Sequence, residues 1–72
     1  MYVRMNSEQV RSLREQKGMS KEDLATVAGV SVQTARRIER GVPVTFRTGR
    51  AVADALGVEP SLSLGRVLRR RA

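Results

Sequence analysis

Apolar residues along most of this chain recur at helical spacing, and glycines and small polar residues separate the runs. Asn6 or Ser7 can cap a first helix and Gly18 can end it; Val10 and Leu13, with the following Met19, share one side, while Arg11, Glu15 and Lys17 face the other. Ser20 opens a second helix, with Asp23 three residues on in the manner of a capping box; Leu24, Ala25 and Ala28 form its apolar stripe before Gly29. Ser31 caps a third helix reaching about Arg40, whose inward residues are Ala35 and Ile38, and Gly41 stops it. The Gly41-Val42-Pro43-Val44 stretch cannot continue a helix, because proline restricts both itself and its predecessor. Thr45 then caps a fourth helix to Leu56, with Phe46, Val52, Ala53 and Leu56 inward and Gly57 at its end. Gly49 inside it costs about 1 kcal/mol relative to alanine, and nothing in the pattern accounts for it.

The fold class that follows is all-α, a compact bundle of four to five helices. Val58 and Leu62 would close the bottom of the core, and a frayed fifth helix over residues 61–71 would carry Leu64, Val67 and Leu68. The expected organisation is a leader over 1–6, a helical domain over 7–62, and a basic tail or short helix over 63–72. The leader contains Tyr2-Val3-Arg4-Met5, apolar enough to pair as a strand in a dimer and equally readable as a loose end.

Composition narrows the chemistry. The 72 residues include no cysteine and no histidine, which removes disulfides, thiolate ligands and the commonest acid–base side chain. The neighbours Glu22 and Asp23 would point about 100° apart on a helix, and no glycine-rich phosphate loop or activated nucleophile is present. The expectation is therefore a protein that is not an enzyme and takes no cofactor and no metal. With only Tyr2 and Phe46 as aromatics, stacking on single strands is disfavoured. The net charge is +7, and twelve of the fourteen basic residues are arginine. Guanidinium suits phosphates and guanine edges better than ammonium does, so the charge points to a polyanion rather than to solubility alone. No apolar run has spanning length and no signal-peptide pattern is present, so a cytoplasmic location is expected. A membrane-surface helix over Leu64 to Arg71 would lack aromatic anchors.

The informative stretch runs from Ser20 to Gly41. Two short helices meet at Ala28-Gly29-Val30-Ser31, where glycine permits a sharp reversal, Ala25 allows close approach and Val30 fills the space beneath the turn. Ser31 ends the turn and caps the next helix, so that helix presents its N-terminus outward, toward a phosphate or base edge. Together with Leu13-Arg14, Gly18-Met19-Ser20, Leu24-Ala25, Gly29-Val30-Ser31, Ile38-Glu39-Arg40-Gly41 and Ala55-Leu56-Gly57-Val58, this stretch resembles the phage repressor and Cro class of helix-turn-helix proteins, the Xre family. The resemblance covers about residues 7–62 and implies a lambda-repressor-like DNA-binding domain of five helices. Its third helix would lie in the major groove of double-stranded DNA while the second crosses the backbone.

The resemblance also implies roles. Val32, Gln33 and Arg37 match base-reading positions, with Arg36 beside them, and the side chains suit the task. Glutamine can grip adenine, arginine guanine, and valine can meet a thymine methyl. Arg14 and Glu39 match a structural ion pair that locks the reading helix to the first. Phosphate contacts would come from Ser20, Lys21 and Ser31 on one side and from Arg40, Thr45, Phe46 and Arg47 on the other, with Val44, Arg50 and free helix N–H groups in support. Lys21 stands where the family usually has glutamine, so it would hold phosphate as a point charge without buttressing a base contact.

The function expected is sequence-specific DNA binding by a small transcriptional repressor or Cro-like regulator of bacterial or phage type. Two alternatives stay open: a recombination-directing or architectural factor of a mobile element, and an antitoxin-type module that binds a protein partner through its C-terminal segment. A homodimer built on Val58, Leu62, Leu64, Val67 and Leu68 is a further hypothesis. Arg66, Arg69, Arg70 and Arg71 would either follow the DNA backbone or minor groove or serve as a solubilising end.

Overall fold

In the computed structural model, which describes residues 1–58 and the backbone of 64–68, the elements run β1 (Tyr2–Met5), α1 (Ser7–Gln16), α2 (Lys21–Ala28), α3 (Val32–Glu39), β2 (Val44–Thr45), α4 (Phe46–Leu56) and β3 (Leu64–Leu68). The caps are the small polar residues expected. Asn6 accepts from the Gln9 N–H, Ser31 from Thr34 and Thr45 from Thr48. Ser20 and Asp23 form a complete capping box, each side chain accepting from the other's backbone N–H at 3.0 Å. Aspartate is one methylene shorter than glutamate and still closes the ring.

The helical part of the core is the one the apolar pattern marks out. Val10, Leu24, Ala35, Ile38, Val52, Ala53 and Leu56 are buried; Leu13, Met19, Ala28, Phe46 and Val58 pack against the cluster half-covered. Val30, expected beneath the turn, is half-buried. Gly49 is buried on α4 in line with Val52, Ala53 and Leu56, at i, i+3, i+4 and i+7, and so lies on the inward face of that helix.

Two expectations change. Within the first six residues, the segment readable as a strand in a dimer or as a loose end is a strand of the chain's own sheet. Tyr2–Met5 is the middle strand of a three-stranded sheet in the order β2-β1-β3, antiparallel to both neighbours. Its side chains alternate, with Val3 and Met5 buried in the core and Tyr2 and Arg4 exposed. Val44, read as part of a plain turn, is buried as the partner of Val3.

The segment expected to be a fifth helix contains a strand instead. Leu64–Leu68 pairs with β1 in the register Tyr2↔Leu68, Val3↔Val67, Arg4↔Arg66 and Met5↔Leu64, with an irregularity at Arg4/Met5. So short an apolar run fits either period, and β1 supplies a partner from the opposite end of the sequence. The helix count among the described residues is four. The expected roles of Leu62 and of Arg69, Arg70 and Arg71, and of the Leu64, Arg66, Val67 and Leu68 side chains, lie outside what is described.

Candidate nucleic-acid interface

The turn between α2 and α3 sets the site. Gly29 has φ +73°, a left-handed conformation that costs an L side chain about 1–2 kcal/mol. Behind it the Val30 N–H reaches the Ala25 carbonyl at 3.0 Å, satisfying the end of α2. Ser31 then restarts the chain as α3, its hydroxyl oxygen accepting from the Thr34 N–H at 3.1 Å.

On α3 the chemistry separates by face. At about 100° per residue, Gln33, Arg36, Arg37 and Arg40 fall within an arc of about 100°, and its middle lies about 180° from the midpoint of Ala35 and Ile38. Burial agrees: the four polar residues are exposed, the two apolar ones buried, and Val32 sits half-covered at the edge. Of the four sequence-derived reading positions, Gln33, Arg36 and Arg37 thus look straight out and Val32 does not.

Beneath this face lies the ion pair. Arg14 Nε donates to Glu39 Oε2 at 2.7 Å and Nη2 donates to Oε1 at 3.3 Å, while Nη1 donates to the Met19 carbonyl at 2.8 Å. Both side chains are nearly covered, 11% and 6% exposed. The Glu39 hydrogen bond is the main reason the Arg14 pKa is raised above its ordinary value, outweighing the opposing effect of burial. This clamp ties α3 to α1 and to the residue before α2's cap, so the outward face of α3 has a fixed orientation.

A concave surface between α1, α2 and α3 collects several of these groups. Lys21, Gln33, Arg36 and Arg40 line it above Arg14 and Glu39. Arg11 and Glu15 of α1 complete the wall, and sequence reasoning had left both as plain surface. The available signal was spacing, since Arg11, Arg14 and Glu15 lie at i, i+3 and i+4. Glu22 was missed too: its Oε2 stands 3.5 Å from Arg36 Nη2, with both side chains more than half exposed.

The start of α4 differs from expectation. The Phe46 N–H, expected to be free for phosphate, donates to the Met1 carbonyl at 3.1 Å, and the ring is half-buried against the core. The Thr45 hydroxyl donates to Thr48 Oγ1 at 3.0 Å. Met1, just before β1, and the cap have consumed those donors, while Arg47 stays exposed. Ser20, Ser31, Val32, Arg37, Thr45, Phe46 and Arg47 do not line the concave surface.

The HTH_3 helix-turn-helix family model matches residues 10–62. The chain belongs to this family. HTH_3 is a family of DNA-binding transcription regulators, not of enzymes. Two archaeal relatives, from Archaeoglobus fulgidus and Methanosphaerula palustris, are each assigned as HTH-type transcriptional regulatory proteins and are each 36% identical. The matches extend over 56 and 66 residues, covering 78% and 89% of this chain. The chain spans only 18% and 22% of the length of those relatives.

Among solved structures, the restriction-modification controller protein C.AhdI from Aeromonas hydrophila superposes with TM-score 0.72 at 34% identity, over 76% of this chain and 85% of its own. An HTH_3 family transcriptional regulator from Vibrio cholerae gives TM-score 0.69 at 32% identity, over 76% of this chain and 32% of its own. The repressor–Cro resemblance read from the sequence is thereby confirmed at the level of family.

Proposed function

We propose that this HTH_3 chain binds double-stranded DNA sequence-specifically and represses transcription, with α3 in the major groove. The observation that carries the reading is the outward face of α3. Gln33, Arg36, Arg37 and Arg40 are exposed together on the side opposite Ala35 and Ile38, and the buried Arg14–Glu39 pair holds that helix in place. Gln33 and Arg37 read bases, with Arg36 beside them and Val32 at the margin offering a methyl surface. Lys21, Arg40 and Arg47 hold phosphates, with the α2 and α3 N-termini capped by Ser20 and Ser31 facing the backbone.

Binding is as a homodimer on half-sites about 34–36 Å apart, because one eight-residue helix offers little contact area. The site of action is the cytoplasm. Among the described residues no helix is long and apolar enough to cross a membrane.

The test begins by selecting duplexes from a random pool and titrating the winner against a scrambled duplex. Arg37→Ala and Gln33→Ala should each weaken the selected duplex by about 1–3 kcal/mol and relax the preference at one base position. Unchanged binding by both variants would remove α3 as the reader. Transcription in vitro from a promoter carrying the selected site should fall as protein is added; a rise would replace repression by activation. The likeness to a restriction-modification controller favours a narrower version of the same role, in which the selected site lies beside restriction-modification genes.

A further inference from the structure

We infer that Glu22 is a specificity-determining residue that restrains Arg36 and so suppresses binding to DNA of the wrong sequence. This rests on the DNA-reading role proposed above for α3. The Glu22 carboxylate and the Arg36 guanidinium face each other across the α2–α3 junction at 3.5 Å, and both remain open to solvent, 64% and 54% exposed. Glu22 lies in the first turn of α2 beside Lys21, where a phosphate would approach. The other carboxylate paired in this region, Glu39, is committed to buried Arg14 and cannot be redirected. Among the described residues, Arg36 is thus the cation of the reading face that carries its own counterion.

The physical consequence follows from how arginine meets DNA. On a random duplex, affinity comes from cations displacing condensed counterions, and each phosphate neutralised adds about 0.9 to the slope of log K against log salt. An Arg36 already neutralised by Glu22 contributes little to that term. The closest approach is between Nη2 and Oε2 at 3.5 Å, and with five N–H donors the guanidinium can meet a guanine edge while the pair is in place. Nonspecific attraction falls while a directed contact survives.

The experiment compares Glu22→Gln with the unaltered chain on a selected duplex and on a scrambled duplex of the same composition, across a salt series. On scrambled DNA the variant should bind about eightfold more tightly near 0.1 M salt, with the salt slope steeper by about 0.9. On the selected duplex it should change by less than about twofold, because lost positioning of Arg36 offsets the freed charge, so discrimination falls.

Asp54→Asn, an exposed acid on α4 outside the concave surface, makes the same change in net charge. It should leave the ratio between the two duplexes unaltered. In an Arg36→Gln background the Glu22→Gln effect should vanish. If it persists there, the carboxylate repels phosphate directly and the restraint on Arg36 is refuted. Equal tightening on both duplexes also refutes it, with the DNA-reading role intact. If no duplex binds in a salt-dependent way, the reading role itself falls and this inference falls with it.

Discussion

Arg14 and Arg37 have the same side chain and opposite surroundings, and their substitutions should separate accordingly. Arg14 is buried with three donated hydrogen bonds, two of them to Glu39. Arg14→Ala strands that carboxylate in a covered position, and the expected loss of stability is roughly 3–5 kcal/mol in urea titrations. That is a large share of the total for a domain whose net stability is on the order of 5–15 kcal/mol. Glu39→Gln keeps an acceptor for Arg14 and should lose less. Arg37 is exposed, so Arg37→Ala should leave the unfolding free energy from urea titration within about 0.5 kcal/mol of its starting value. A fall in DNA affinity without a fall in stability is the signature expected of a reading residue; matched losses would mark Arg37 as structural.

Among the elements, the α2–α3 turn and the α3 cap are the most exposed to single changes. Ser31→Ala removes the acceptor for the Thr34 N–H and the shared hydroxyl contact at 2.9 Å, with an expected loss of about 1 kcal/mol. At Gly29 an added Cβ would meet nothing within 4 Å. The effect of Gly29→Ala therefore comes from the left-handed backbone alone, about 1–2 kcal/mol. Thermal unfolding of the two single variants and the double checks both values. The two sites flank one turn, so a double-variant loss short of the sum would report their coupling.

At the scale of the whole molecule, the N-terminal strand joins distant parts of the chain. Val3 is fully buried, lies opposite Val44 on one side and Val67 on the other, and belongs to the same cluster as Leu24 and Ile38. Val3→Ala should reduce stability by about 1–3 kcal/mol in a denaturant titration. A change below about 0.5 kcal/mol would mean that the strand is dispensable to the core. The net charge of +7 acts at this scale too. Affinity for random duplex should fall linearly on a log–log plot against salt, each phosphate contact adding about 0.9 to the slope. An affinity for scrambled DNA that does not respond to salt would contradict electrostatic docking.

The local features were legible from the order of residues. Helix starts, the glycine corner, the buried stripe of each helix, Gln33 and Arg37 on an outward face, and the Arg14–Glu39 pairing implied by family resemblance all depend on neighbours a few positions away or on a recognisable motif. The rest was set by contacts between distant segments. Leu64–Leu68 is a strand because β1 offers it a ladder, and Tyr2–Met5 is interior because it lies between β2 and β3. Met1, just before that strand, takes the Phe46 N–H, and the packing of α2 on α3 brings Glu22 to Arg36. A short segment's periodicity states which faces it can bury, but its partner is chosen by the free energy of the assembled core. That quantity is spread over the chain and cannot be read from any one stretch of it.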